Sequence, residues 1–551
     1  MLRRFIGLSL VLAAAAAMAL AQGNPIPRIV KEGAKYSFLV DGKPFLMLGG
    51  QVDNFSSWLP GPPFRNIEPI QDEIAKVLSG FKSYNANTIE FPVHWGYIEP
   101  KEGEFEFTAF DQIIGNIRAH GLRAIVLWFG TWKGGDDTFQ PDWVRYNPAR
   151  FPMALNEDGK ALRSLSPLGA RTLEADRKAF AALMKHIREI DENDRTVILV
   201  QVENEAGILG SARDHSAEAN KLFDGPVPVE LVTALKKKPG SWAQVFGGQF
   251  AEEAFTTYYM AKYINAVAQA GKDAYPLPLC LNVWMGGPGT NAFGRPGDSY
   301  PSGGGQAHTL DLWKAAAPAI DIIAPDIYHR SAVIYRTILS RYARRDNPLL
   351  IVETRRGLEI ARYCFMAIAD YSALGFAQFG VGIKGYGATA DGEFGPQFAD
   401  VAADFRLLAG AAPVILELQG TKKLQSAIEE ENIPGRTLSF DRWDVLAMFP
   451  PAMSKQPSWA EPAGPPTIPS GRVLFAQLQP DEFLIMGFDT VVDFRPPATS
   501  GHKEGRFVQV EEGLYNNGVW TPAKSQPAAS PARGLTLPKE GAMFRVKLQW
   551  D

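Results

Sequence analysis

The sequence predicts an α/β chain: a (β/α)8 TIM barrel followed by an all-β, sandwich-like region. Between residue 45 and about residue 410, eight short apolar runs alternate with amphipathic segments. After residue 413 helical periodicity fades, and short alternating runs broken by Pro and Gly take over, as in RVLFAQLQ and MFRVKLQW. No GxGxxG follows the first apolar run, so a doubly wound dinucleotide-binding sheet is the weaker alternative.

Each element has its own signal. The first 21 residues read as a secretory leader: Arg3 and Arg4, an apolar stretch, then Ala19-Leu20-Ala21 as a small-x-small cleavage site. The expected location is therefore periplasmic or extracellular. A hairpin follows in PRIVKEGAKYSFLVDGKPF, with Asp41-Gly42 as its turn. The eight strand runs are FLMLGGQVDN, TIEFPVHW, RAIVLWFG, VILVQVENE, LPLCLNVWM, IDIIAPDIY, LLIVETRRG and GFAQFGVG. Segments such as FTAFDQIIGNIRAHG repeat apolar residues at i, i+3 and i+4, which marks helices covering a buried parallel sheet. The resulting organisation is a leader at 1–21, a barrel with its N-terminal hairpin at 22–412, and a β-rich accessory region at 413–551.

Composition narrows the partners. With 56 basic and 60 acidic residues spread along the chain, no polyanion-binding surface stands out, so nucleic acid is not an expected partner. No apolar run after the leader is long enough to span a bilayer. Cys280 and Cys364 lie in apolar patterns and read as unpaired core residues. Seven His without HExxH or Cys/His clusters give no metal signal, and no cofactor is expected. A homo-oligomer is compatible with the sequence, which says nothing specific about assembly.

A TIM barrel carries its active site at the C-terminal ends of its strands. Those ends hold His94 and Trp95, Trp128, the Glu203-Asn204-Glu205 triplet, Asn282 and Trp284, Asp326 and Tyr328, and Glu353. Carboxylates, amides and flat aromatic faces suit a polyhydroxy compound; a phosphate would call for Lys, Arg or a glycine-rich loop. Two carboxylates on different strands are the minimum for glycoside hydrolysis, one protonated to assist the leaving oxygen and one ionised to attack. Glu205 after the fourth run and Glu353 at the end of the seventh face each other across such a barrel. A crowded apolar mouth is expected to raise one pKa while amide and tyrosine hydrogen bonds hold the other down.

The segments DGKPFLMLGGQ, NTIEFPVHWGYIEPKEGEFEF and QVENEAG resemble glycoside hydrolase family 35, the β-galactosidases of clan A. The likeness covers residues 41–210, is looser across 277–410 and stops before the C-terminal region. It implies a retaining, exo-acting enzyme on terminal β-D-galactosides, with Glu205 as acid/base and Glu353 as nucleophile. It also implies Asn204 as the 2-hydroxyl hydrogen-bonder, while Tyr328 is placed to hydrogen-bond the nucleophile. Family members follow the third strand with Gly-Pro-Tyr and a Glu-Trp pair. This chain has WFGTWKGGDDTFQPDWV instead, which leaves β-glucosides and α-L-arabinosides open as substrates.

Some residues carry two readings. Glu203 is either a ligand contact or a supporting carboxyl. His94 is either a hydrogen-bonded barrel residue or a substrate contact, and Trp95, Trp128 and Trp284 either fill the barrel or face the ligand. A non-catalytic secreted glycan-binding protein on a TIM-barrel scaffold is the other functional class. The intact Glu205 and Glu353 favour the enzyme.

Overall fold

A computed structural model of the chain describes residues 25–33, 35–52, 71–135, 139–286, 294–381, 394–431, 433–449, 468–516, 518–526 and 531–550. The expected leader, residues 1–21, lies outside them.

Seven parallel strands form one sheet. The first six run in chain order: Met47–Gln51, Thr88–His94, Arg123–Lys133, Val197–Asn204, Leu279–Trp284 and Ile322–Asp326. The last, Gly375–Phe379, pairs in parallel with the first. The expected seventh strand is not regular. Residues 349–354 bridge the gap through two isolated parallel pairs, Ile327 with Thr354 and Ile351 with Phe376. Backbone bonds complete the seam, from Ile327 N to Glu353 O at 3.1 Å and from Ala377 N to Ile351 O at 2.8 Å. At its start a side chain stands in for the ladder: Ile323 N donates to Asn347 Oδ1 at 2.9 Å, beside Pro348, which has no N–H to offer.

Inside the barrel, Met47, Ile125, Leu199, Cys280, Ile322 and Leu350 form an apolar floor. The N-terminal sheet, Arg28–Glu32, Lys35–Val40 and Lys43–Pro44, seals it from below with Phe38 and Val40. Its turn is the expected Asp41-Gly42, both at positive φ. Helices cover the outside. In Thr108–Ala119, Phe110, Ile113, Ile114 and Ile117 point to the sheet, which is the helical spacing read from the sequence. No helix among the described residues is long and apolar enough to cross a membrane.

The C-terminal part is all β. A six-stranded antiparallel sheet has the spatial order Leu424–Ile428, Arg472–Gln479, Glu482–Phe488, Ala542–Trp550, Gly505–Asn516 and Val519–Gln526. A four-stranded sheet of Gly435–Ser439, Asp444–Met448, Thr490–Arg495 and Leu535–Leu537 packs on one face of it over Trp443, Phe475, Phe483 and Phe494. The change of texture at 413 falls inside the helix Ala399–Leu418, where Pro413 is tolerated, so the β-rich part begins at Leu424.

The other face of the six-stranded sheet joins the barrel. Leu474, Leu484, Met486 and Met543 share one core with Phe365, Leu407 and Leu408 of the barrel helices. Arg472 pairs with Asp404 at 2.6 Å, both buried, and also reaches the Asp400 carbonyl. Burial pushes the Asp404 carboxyl up to about 7 while Arg472 pulls it down; a guanidinium that does not give up its proton keeps the pair ionic. Asp404→Ala strands that buried cation, at an expected cost of about 3–5 kcal/mol. The check is the midpoint of urea unfolding, which should fall clearly below wild type.

Candidate active site

The fourth strand ends in a kink. Glu203 and Glu205 both take left-handed backbone conformations, with φ of 64° and 48°, on either side of Asn204. For non-glycine residues this carries strain, and it persists where surrounding contacts over-determine it. Here they do. Glu203 is fully buried and accepts from the backbone amides of Thr131 at 3.1 Å and Trp132 at 2.8 Å. Glu205 N donates to Asn282 Oδ1 at 2.7 Å. The kink turns the Glu205 side chain into the mouth and Glu203 away from it.

Glu205, Asp326 and Glu353 converge at the mouth, with carboxyl oxygens within 4.8 Å of one another. Among the described residues no other group of three His, Cys, Asp or Glu side chains lies close enough to hold a metal ion. Tyr328 donates its hydroxyl to Glu353, and the Gln51 side chain supports the same carboxyl. Asn282 Nδ2 donates both to Asn204 Oδ1 at 3.1 Å and to Asp326 Oδ2 at 2.9 Å. A cavity of about 350 Å³ opens above, lined by Glu205, Trp284, Met285, Asp326, Tyr328, His329 and Glu353. Trp284 and Tyr328 are both 40% exposed and offer flat faces to whatever enters.

All three carboxyls are pushed up. For Glu353 burial is the main cause and the Glu205 charge adds to it, against the Tyr328 hydrogen bond, leaving the group at about 8. Burial also raises Glu205, opposed by Lys133 and by a hydrogen bond with Asp326. Asp326 lies well above the usual carboxylate range through burial and the Glu353 and Glu205 charges. The expected contrast of one raised and one lowered carboxyl is not found: burial raises both. Glu353 is raised partly because Glu205 is charged, so a proton on Glu205 eases the ionisation of Glu353.

Of the expected contacts, Asn204, Asn282, Trp284 and Tyr328 meet at the mouth with Glu205 and Glu353. Glu203, Trp95 and Trp128 do not. Trp95 bonds Glu99 at 2.8 Å and Trp128 bonds Asp176 at 3.0 Å, each fully buried on the helix side of the barrel. Trp128 sits in mid-strand on the outward-facing side of the alternation, and Trp95 falls past its strand, at the start of the short helix Trp95–Ile98. His94 is buried and stacks on Phe139 at 4.2 Å and Phe129 at 5.4 Å.

Sequence reasoning passed over Asp326, although it ends the sixth strand, and it missed the Asp176–Glu203 pair. Burial raises both of those carboxyls, and they hydrogen-bond each other. Gly130 leaves room for the pair: a Cβ there would lie 2.8 Å from Glu203 Oε1 and 2.9 Å from Asp176 Oδ1. The strand end so pinned brings Gly134 against the mouth, where an added Cβ would sit 3.4 Å from Glu205 Oε2.

Residues 68–251 match the glycoside hydrolase 42 model, described as β-galactosidase, and residues 401–525 match a domain of unknown function, DUF5597. A β-galactosidase of Xanthomonas manihotis is 27% identical over 226 residues, covering 39% of this chain and 32% of that protein. The chain thus spans about a third of that relative's length. Solved structures with likeness include the β-amylase catalytic domain of Paenibacillus polymyxa, at TM-score 0.46 and 13% identity over 65% of this chain and 98% of that one. Another is the β-galactosidase of Marinomonas ef1, at TM-score 0.48 and 11% identity over 67% and 60%. The matched region is β-galactosidase-like, of the glycoside hydrolase type; the matching model is family 42 and not the family 35 that the motifs resemble.

Glu203→Ala should leave the Thr131 and Trp132 amides buried without an acceptor, at about 1–3 kcal/mol each. Thermal unfolding is the check, and sugar binding should weaken as the third strand's end loosens.

Proposed function

We propose that the chain is a retaining glycoside hydrolase acting on terminal β-D-galactosides, with Glu205 as acid/base and Glu353 as nucleophile. One observation carries this reading: carboxyl oxygens from the ends of opposite barrel strands within 4.8 Å of each other. Retaining enzymes hold their pair about 5–5.5 Å apart, whereas inverting ones need about 6.5–9.5 Å to seat a water. Glu205 gives its proton to the glycosidic oxygen as that C–O bond breaks. Glu353 then forms an ester bond to the anomeric carbon. In the second step Glu205 takes a proton from water, the hydroxyl attacks the same carbon, and the ester bond breaks. Asn204 addresses the 2-hydroxyl, Trp284 the apolar sugar face, and Tyr328 steadies Glu353.

The small cavity, floored by the packed barrel interior, suits one terminal sugar and hence exo action. The leader at 1–21 directs export, where polysaccharide-derived oligosaccharides are met. One observation favours a second substrate reading: the last residue of the third strand, Lys133, and the following Gly134 lie against the pair. Other β-glucosides or α-L-arabinosides therefore belong in the same assay.

Turnover of aryl β-glycosides by wild type, Glu205→Gln and Glu353→Gln tests the assignment. Glu205→Gln should lose about 10²- to 10⁴-fold on poor leaving groups. Glu353→Gln should be inactive, and azide should restore turnover to Glu353→Ala with inverted product. Activity persisting in Glu353→Gln would sink the nucleophile assignment; sugar binding without turnover in wild type would favour a glycan-binding protein.

The pH profile offers a separate check. Tyr328→Phe removes a donor that favours the charged form of Glu353, so its pKa rises further. The acidic limb of kcat/KM, where the nucleophile ionises, should move to higher pH while the alkaline limb stays.

A further inference from the structure

Asp326 closes the sixth barrel strand, is 2% exposed, and has no part in the two-carboxyl scheme. Its Oδ2 accepts from Asn282 Nδ2 at 2.9 Å, from the same asparagine whose Oδ1 holds the Glu205 backbone amide at 2.7 Å. Among the described residues no donor reaches its Oδ1, while the Glu205 carboxyl lies within hydrogen-bonding reach.

The surroundings of this group are acidic on nearly every side. Glu205 faces it from the fourth strand, Glu353 from the seventh segment and Glu90 from the second strand. Cys280, Tyr328 and Tyr342 are its other titratable neighbours. Lys133, the nearby cation, acts on Glu205 and Glu353. Glu90 is itself buried, and neither of its carboxyl oxygens has a hydrogen-bond partner among the described residues. A third negative charge at Asp326 would therefore be buried among like charges, with an oxygen that receives no hydrogen bond. A proton on Oδ1 removes both costs at once, because the oxygen without a donor becomes the donor.

We propose that Asp326 works as a neutral carboxylic acid, a positioning residue that donates its Oδ1 hydrogen to Glu205 while Asn282 fixes its carbonyl oxygen. The inference rests on Glu205 being the acid/base. Asp326 passes on no proton. When Glu205 has protonated the leaving oxygen, the carboxylate it becomes meets an O–H already in place, and the same contact orients it toward the incoming water. The charge on Glu205 is thereby stabilised only in the state where it exists, which lowers the barrier to proton donation. A carboxylic acid kept neutral so that it can donate is an established device where the site is apolar.

Asparagine separates a neutral donor from a carboxylate, since its Oδ1 can accept from Asn282 and its Nδ2 can donate to Glu205. Asp326→Asn should keep kcat on poor leaving groups within about threefold of wild type, because one neutral donor replaces another. Asp326→Ala should lose about 10- to 100-fold in kcat with little change in KM, the worth of a hydrogen bond to a charged group. Its alkaline limb should shift to higher pH, because the Glu205 carboxylate has lost a donor, and the limb of Asp326→Asn should not move. A loss of more than about tenfold in Asp326→Asn would show that the charge is needed and overturn the proposal. Wild type and Glu205→Gln, run alongside, keep the two readings apart. If Glu205→Gln behaves as an acid catalyst's variant and Asp326→Asn is inactive, only the role of Asp326 falls. If wild type cleaves no glycoside, both fall together.

Discussion

Three carboxyls side by side, two of them almost fully buried, cannot all be ionised cheaply, and much of the site is arranged around that limit. Glu205, Asp326 and Glu353 are close enough that the charge of one sets the proton on the next. The hydrogen bonds are distributed accordingly. Tyr328 and Gln51 serve Glu353, the group proposed here as the nucleophile. Asn282 ties Asp326 to the backbone of Glu205 and so couples the fifth, sixth and fourth strands at one point. Lys133 supplies the positive charge that acts on the pair.

That arrangement depends in turn on a kinked strand end. Glu203 and Glu205 are neighbours but one, and in a regular strand their side chains would share a face. Left-handed backbone at both positions sends Glu203 into the wall toward Asp176 and leaves Glu205 in the mouth. The wall carboxyl spends both oxygens on the amides of Thr131 and Trp132, which fixes the end of the third strand. A buried carboxyl pair thus supports the site without touching what binds there.

How much of this the sequence disclosed follows from the kind of signal each feature leaves. Apolar runs and helical spacing carry the barrel, since burial on both sides writes itself into composition, and Asp41-Gly42 carries the hairpin turn. Strand-end position was enough to nominate Glu205, Glu353, Asn282, Trp284 and Tyr328, because topology alone brings those ends together. It was not enough for Trp95, Trp128 or Glu203. Trp128 is mid-strand on the outer face, Trp95 opens a short helix, and Glu203 is turned by a positive φ that has no reliable signature in a non-glycine residue. The irregular seventh strand was equally hidden: LLIVETRRG is as apolar as its neighbours, yet Pro348 and the Asn347 side chain replace the start of its ladder. Asp326 was visible and passed over, because a scheme with two carboxyls left no vacancy for a third.

The six-stranded C-terminal sheet is apolar on both faces, one turned to its partner sheet and one to the barrel helices. Cutting the chain anywhere between helix Ala399–Leu418 and the first strand of that sheet would therefore divide a shared interior. The severed halves would each display a greasy wall to solvent. Insertions and swaps that a detachable module would absorb must here preserve a packing surface common to the barrel and the β-rich part.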